Sequence, residues 1–386
     1  MRILFYHSGC DLYGASRSLL RLTSRLVQDG HAVKVMLPMD GPLLGAFSSE
    51  GVDAEVSRPF PLIERSVFKS PVGLLRFAAT VPCATVLACR LLRRFQPDVV
   101  HSNTSVIVVP ALAARIMRVR HVWHLRETYA GFGLFWRVYR RFMQWGADRI
   151  VAVSSPIAEQ LPARMGCAVH VIHNGLPQAE AESVSSERTD AFRARYDLGS
   201  ARLVGLIGRI KFIRKGQEFL VDAAALLKPQ FPDVRFVVVG SPFPGNEAHL
   251  ERLRARIRER DVEDVVVCTG DVDDIKAVYA SLAVSVLASA LPEPFGGVVI
   301  ESMAYGIPVV GTAIGGTTEQ VVDGETGILV PPRDVQALAA AIARLLDAPA
   351  LCAQMGQAGR QRFLDRFEFE RFYGSITTLY DEVISR

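Results

Sequence analysis

The chain has 386 residues, 49% hydrophobic and 22% charged, which excludes a disordered or fibrous protein and favours two globular domains. The net charge of +4 is uneven: residues 1–175 hold 21 Lys and Arg against 11 Asp and Glu, a surplus of +10, and the rest hold 23 against 29, or −6. A basic half joined to a slightly acidic half suggests that one domain meets an anionic partner.

Arg2 to His7 reads as a strand with no signal-peptide apolar region before it. The six cysteines (Cys10, Cys83, Cys89, Cys167, Cys268, Cys352) lack metal-ligand spacing and read as buried free thiols of a reducing cytosol. A cytoplasmic protein is therefore expected. No window reaches the roughly 18 uninterrupted apolar residues of a spanning helix; the nearest, Phe77 to Cys89, contains Pro82. Ser8 to Ser16 is a turn, Arg17 to Asp29 a helix and His31 to Leu37 a strand, together a parallel β/α unit. Gly14 in that turn either lets backbone approach a phosphate or serves an ordinary tight turn.

Residues 60–96 interleave Phe60, Val67, Phe68, Leu74, Leu75, Phe77, Val86 and Leu87 with Arg65, Lys69, Arg76, Arg90, Arg93 and Arg94. Residues 115–141 repeat the character, with Arg118, Arg120, Arg137, Arg140 and Arg141 among Trp123, Tyr129, Phe132, Phe135, Trp136 and Tyr139. These segments either lie peripherally on an anionic membrane surface or are core helices whose arginines reach to solvent. No nucleic-acid-stacking motif is recognisable. Strands end near His101 and Leu125, the second leading into Arg126 and Glu127. His101, His121 and His124 fit strand-end packing as well as function. The Glu-, Ala- and Ser-rich run from Pro177 to Arg188 reads as an interdomain linker.

In the second half, the strand Arg202 to Ile207 runs into a turn with Arg209, Lys211, Arg214 and Lys215, then a helix from Gln217. Cations crowded at a strand's carboxyl end repel one another unless a polyanion is bound. Asp273 and Asp274 suit helix capping rather than a metal. Ser289 to Gly316 then runs Pro292-Glu293-Pro294-Phe295-Gly296-Gly297, an apolar run ending at Glu301, a turn, a strand and Gly315-Gly316. Gly296 and Gly297 are expected to offer free amides at a helix start to an anion such as a diphosphate. Eight residues, about two helical turns or roughly 12 Å, separate Glu293 from Glu301, so the two acids either serve opposite ends of one elongated ligand or are an acid at a helix dipole and a partly exposed helix Glu. Asp334 caps a later amphipathic helix, and Glu368 to Ser385 forms the last.

Glu293-Pro-Phe-Gly with the helix to Glu301 resembles the Glu–seven residues–Glu motif of retaining glycosyltransferase family 4. Ala304-Tyr-Gly-Ile-Pro-Val-Val and Val322-Asp-Gly-Glu-Thr-Gly-Ile-Leu-Val fit the same family, as does His173-Asn174-Gly175 at the close of the first domain. The resemblance implies the GT-B fold, an α/β architecture of two Rossmann-like domains facing across a cleft. Residues 1–175 and 368–386 would form the acceptor domain, and 176–367 the nucleotide-sugar donor domain. It implies a UDP- or GDP-sugar substrate, a glycan or lipid-linked acceptor, and no metal or other cofactor. Arg209 and Lys215 match the diphosphate-binding pair. Glu301 would take the ribose and Glu293 the donor sugar, with Phe295, Gly296 and Gly297 at the helix start. Backbone around Val272 would touch the base, and Gly14 stands where the family usually has a glycine pair. The family's acceptor-facing His aligns with Arg126, which would neutralise an anionic acceptor or leaving phosphate, while His124 would point to the opposite side. A nucleotide-sugar epimerase and a non-catalytic nucleotide-sugar-binding protein are the alternatives.

Overall fold

The computed structural model describes residues 1–385 except 64–66, 68–69, 130–131 and 163–165. Arg65, Phe68 and Lys69 therefore lie outside the described residues. The chain divides into one unit of Met1–Gly175 with Phe372–Arg386, and a second of Leu176–Arg371.

In the first unit β1 (Arg2–Tyr6), α1 (Gly14–Gln28), β2 (Ala32–Leu37), α2 (Pro42–Ser49), β3 (Asp53–Val56), α3 (Pro71–Phe95) and β4 (Val99–Ser102) follow in order. Then come α4 (Val109–Met117), β5 (Arg120–Leu125), α5 (Gly133–Gly146), β6 (Arg149–Ala152), α6 (Ser155–Ala158) and β7 (Ala168–Val171). All pairings are parallel, in the order β3-β2-β1-β4-β5-β6-β7. Strands buried on both faces need continuous apolar runs, which Ile3 to Phe5 and Ile150 to Val153 supply.

The second unit holds α7 (Ser186–Arg195), β8 (Arg202–Ile207), α8 (Gln217–Leu227), β9 (Val234–Val239), α9 (Ala248–Glu259), β10 (Val266–Gly270) and α10 (Ile275–Ser281). It continues through β11 (Leu282–Leu287), α11 (Gly297–Ala304), β12 (Val309–Thr312), α12 (Thr317–Gln320), β13 (Gly327–Val330), α13 (Val335–Asp347) and α14 (Pro349–Arg366). Its sheet is also all parallel, ordered β10-β9-β8-β11-β12-β13. The closing helix α15 (Phe369–Ile384) clusters with the first unit from Phe372 onward. There Tyr380 meets His101 Nδ1 at 2.7 Å, and Arg25 lies 4.7 Å over the ring of Tyr373.

Both sheets reverse strand order at one place, between β1 and β4 and between β8 and β11. In open α/β sheets ligands bind outside the carboxyl ends of the strands at such a switch point. The loops after β8 and β11 are those that carry Arg209 to Lys215 and Ser289 to Glu293.

Three expectations are corrected. The run from Pro177 is not a linker: it forms a 3-10 turn (Gln178–Ala181) and the start of α7, with Ala181 buried. Tyr305 donates to the carbonyl of Glu180 at 2.9 Å, and Arg188 pairs with Asp274, so tertiary hydrogen bonds hold a segment whose polar composition suggested a linker. The thiols are not all buried, since Cys83 is exposed. Helix α3 runs 25 residues through Pro82, and an 18-residue window of it, with mean hydropathy 1.7, makes it long and apolar enough to cross a membrane by length and composition. Only one face packs, through Ala84, Thr85, Ala88 and Leu92, while Val72 and Leu75 are exposed. Helix α5, by contrast, turns Trp136 and Tyr139 inward and leaves Trp145 exposed: Trp136 stacks on Tyr129 at 4.3 Å, and both are buried with Trp123 and Tyr139.

Candidate functional site

The donor-side cluster is built on the two loops at the second unit's switch point. Gly216 ends the first loop at φ 77°, and a Cβ there would lie 1.9 Å from the carbonyl oxygen of Ala288 in the second. Only glycine permits both the left-handed backbone and this approach. Ala290 N–H donates to the Arg214 carbonyl at 3.1 Å, fastening the loops together. The result places Lys215 Nζ 2.8 Å from Glu293 Oε1, with Ser289 Oγ donating to the same oxygen at 2.8 Å.

Glu293 is buried, at 7% exposure. Burial pushes its carboxyl up, but Lys215, Ser289 and Arg214 outweigh burial and hold it below the usual carboxylate range. Lys211 shows the other side of the cluster. Its ammonium is lowered by burial and then by Arg214, Lys215 and Arg209, with only Glu293 opposing. Three cations thus act on Lys211 against one carboxylate, an excess of positive charge suited to a polyanion. Arg209 lies 4.7 Å over the ring of Phe243, and its carbonyl accepts from Gln217 Nε2 at 3.2 Å.

The Glu293 backbone is clamped from the other side. Gly316 N–H donates to the Glu293 carbonyl at 2.8 Å, and a Cβ on Gly316 would meet the Pro294 carbonyl oxygen at 2.4 Å. Gly315-Gly316 therefore fixes the acid, and a side chain at 316 would displace it.

The helix start departs from expectation. Gly296 is buried and donates its N–H to Gln320 Oε1 at 3.3 Å, while Gln320 Nε2 returns to the Gly296 carbonyl at 2.9 Å. Its amide is thus engaged within the protein, because a buried donor must find a partner. Gly297 is the first residue of α11, where an amide has no intrahelical acceptor. A Cβ at Gly297 would lie 3.8 Å from Glu301 Oε1, so that carboxylate stands beside the helix start. Glu301 accepts from the hydroxyl of Tyr279, whose ring stacks on Tyr305 at 5.3 Å. Phe295 turns inward, edge to face with Phe367 at 5.9 Å. Val272 is half-buried in the loop between β10 and α10, and Asp274 caps α10 by accepting from Ala277 N–H at 3.2 Å. Among the described residues no group of three or more His, Cys, Asp or Glu could hold a metal ion.

In the first unit, Gly14 opens α1 with nothing within 4 Å of a Cβ, so it is neither strained nor crowded. Arg126 follows β5 and is buried in a cage of neutral acceptors. Its Nη1 donates to Asn174 Oδ1 at 2.7 Å, its Nε to Asn103 Oδ1 at 3.2 Å, and its Nη2 reaches Ser18 Oγ at 3.4 Å. His124 does not point away: its Nδ1 lies 3.4 Å from Arg126 Nη2, because residues two apart share a strand face. Burial lowers the guanidinium to about 10, which still leaves it charged at neutral pH. Burial, followed by Arg126, pushes His7 down to about 3 and holds His101 and His124 well below the ordinary imidazole value. Glu127, next in sequence, gives its carboxylate to Ser105 N–H at 3.0 Å instead of to the guanidinium.

Tyr279 and Gln320 escaped the sequence reading, and Ser289, Asn103 and Asn174 were given no site role there. Ser289 and Asn174 did carry a signal, as members of the Ser289–Gly316 stretch and of the His173-Asn174-Gly175 signature.

Two parallel doubly wound units, the second with a cation-acid cluster at its switch point, are the architecture of the GT-B class. The comparisons agree. The family described as glycosyl transferases group 1 matches residues 190–362, and glycosyltransferase family 4 matches residues 13–180. Glycogen synthase of Mycobacterium tuberculosis is 28% identical over 75% of this chain and 69% of its own length. A GDP-mannose-dependent phosphatidylinositol monomannoside mannosyltransferase of Mycolicibacterium smegmatis is 34% identical over 46% of this chain and 47% of its own. The crystal structure of Anabaena HepE in complex with UDP-glucose superposes with a TM-score of 0.83 at 24% identity, covering 99% of this chain and 100% of that one. The chain belongs to glycosyltransferase family 4 and is a glycosyltransferase of GT-B fold.

Proposed function

We propose that the enzyme moves a sugar from a nucleoside-diphosphate sugar to an acceptor hydroxyl with retention of anomeric configuration. The observation that carries this reading is the 2.8 Å contact between Lys215 and Glu293. In a nucleotide-sugar the phosphate is bonded directly to the anomeric carbon. Protein groups for the two must therefore be neighbours, one cationic and one an acceptor of hydroxyl protons.

Arg209 and Lys215 neutralise the charge that builds on the departing diphosphate, with the Gly297 amide adding a donor. Glu293, ionised and held by Ser289, accepts from the sugar hydroxyls and orients the anomeric carbon. Glu301, beside the helix start and held by Tyr279, takes the ribose hydroxyls. Backbone near Val272 faces the base, Gly14 lets backbone approach a donor phosphate, and Arg126 serves the acceptor side. The bond from the anomeric carbon to the diphosphate oxygen breaks as the acceptor oxygen bonds to the same face. The acceptor's proton passes to the leaving phosphate, so no protein nucleophile is needed. The charge is carried by protein cations, and the reading includes no metal.

The acceptor class is a glycan or lipid-linked glycan precursor, met at the cytoplasmic side. Exposed Val72, Leu74, Leu75 and Val86 on α3, with Arg90, Arg93 and Arg94 near its end, suit an anionic membrane surface. HepE was solved with UDP-glucose and the mycolicibacterial relative uses GDP-mannose, so the test panel holds both bases. Thermal unfolding of the full chain is expected to rise with one UDP- or GDP-sugar, since a ligand of the folded state stabilises it. Proton NMR of the product made from that donor should show the donor's anomeric configuration. An inverted product would refute retention, and a panel without any stabilising donor would refute the donor assignment.

A further inference from the structure

At the amino ends of β5 and β6, the opposite edge of the first unit's sheet from Arg126, lies an open crevice of about 540 Å³. Six residues of strand put it roughly 20 Å from the Arg126 cage. Its wall carries four guanidinium groups, Arg115, Arg120, Arg141 and Arg149, against one carboxylate, Asp148. That carboxylate is already committed: one oxygen pairs with Arg120 at 3.1 Å and the other accepts from His121 N–H at 2.9 Å. Arg115 lies 5.5 Å over the ring of Trp145 and meets no acid among the described residues. Arg149 is buried at 7% exposure, donates through Nη1 to the Asp148 carbonyl at 2.8 Å, and has no hydrogen-bond partner at Nε. A buried donor left open costs stability unless a ligand fills it. The volume falls within the roughly 300–1,000 Å³ of small-molecule sites.

We propose that this crevice binds a phosphate-bearing anion, at a site separate from the donor cluster of the second unit. Guanidinium groups grip phosphate oxygens two at a time, and among the described residues three of the four pair with no carboxylate. The anion is either a free phosphate compound or a phospholipid headgroup, since both present the same oxygens.

The test titrates the full chain with inorganic pyrophosphate, reading tryptophan fluorescence at Trp145, and separately with vesicles of phosphatidylglycerol or phosphatidylcholine. Arg149→Gln risks the fold, so the exposed pair Arg115→Glu/Arg141→Glu carries the test. A tryptophan-fluorescence response to pyrophosphate that is at least tenfold weaker in that variant, yet kept in Arg209→Ala because all three tryptophans lie in the first unit, supports a free anion. Binding confined to phosphatidylglycerol vesicles and lost in the same variant supports a headgroup. Absence of both, or binding that ignores the two substitutions, overturns the proposal. The Arg209→Ala arm keeps this result independent of the donor assignment.

Discussion

Arg209→Ala is expected to lower kcat/KM by about 10²–10³, the usual cost of removing one preorganised group that stabilises developing charge. Lys215→Ala should lose turnover on the same scale. The two differ in what they do to the fold. Arg209 lies over Phe243, and its truncation removes that contact without stranding a buried charge. Lys215 compensates a buried carboxylate, and without it Glu293 keeps only Ser289 as a close donor. Leaving that charge unpaired costs about 1–3 kcal/mol. Adding Glu293→Gln to Lys215→Ala removes the stranded charge, so stability should recover while turnover does not. Steady-state kinetics and thermal midpoints on the three variants separate these effects. Wild-type turnover in both single variants would contradict the diphosphate role.

The second large effect is acid loss of the first unit. His7, His101, His121 and His124 are buried, and burial lowers each, to about 3 for His7 and about 4 for His121. In the folded state they stay neutral, whereas the unfolded chain protonates them below pH 6.5. The unfolded state then binds more protons, so stability falls as pH drops from 6.5 toward 4. Each group contributes about 1.4 kcal/mol per pH unit, and four together roughly 5 kcal/mol per unit. Glu127 opposes this, because burial raises its carboxyl, but it is one group against four. Glu293 acts lower: its lowered value contributes stability present above about pH 4.5 and lost as pH falls further. Against a typical total of about 5–15 kcal/mol, the unit should unfold one to three pH units below 6.5. Hydrogen exchange of β1, β4 and β5 against pH measures it. Protection unchanged between pH 7 and 4.5 would contradict the account.

The sequence carried the architecture because parallel sheets need apolar runs between glycine turns, and both survive in one dimension. It carried Lys215 and Glu293 because their spacing within motifs is local. It missed what tertiary contact decides. Gly296 looked like an anion site until Gln320, 24 residues away, occupied its amide. Arg126 gave no sign in the sequence of the cage that Asn103 and Asn174 build around it across long stretches of chain. His124 was misread by a rule of alternation applied to positions two apart. The stretch after Pro177 looked like a linker because polar composition hides a 3-10 turn held by backbone carbonyls.

The most direct measurement is isothermal titration of UDP and GDP into the full chain, wild type and Arg209→Ala/Lys215→Ala. One nucleotide should bind the wild type, with affinity at least a hundredfold weaker in the variant, roughly 2.7 kcal/mol. A folded double variant that binds either nucleotide as tightly as the wild type would contradict the clamp.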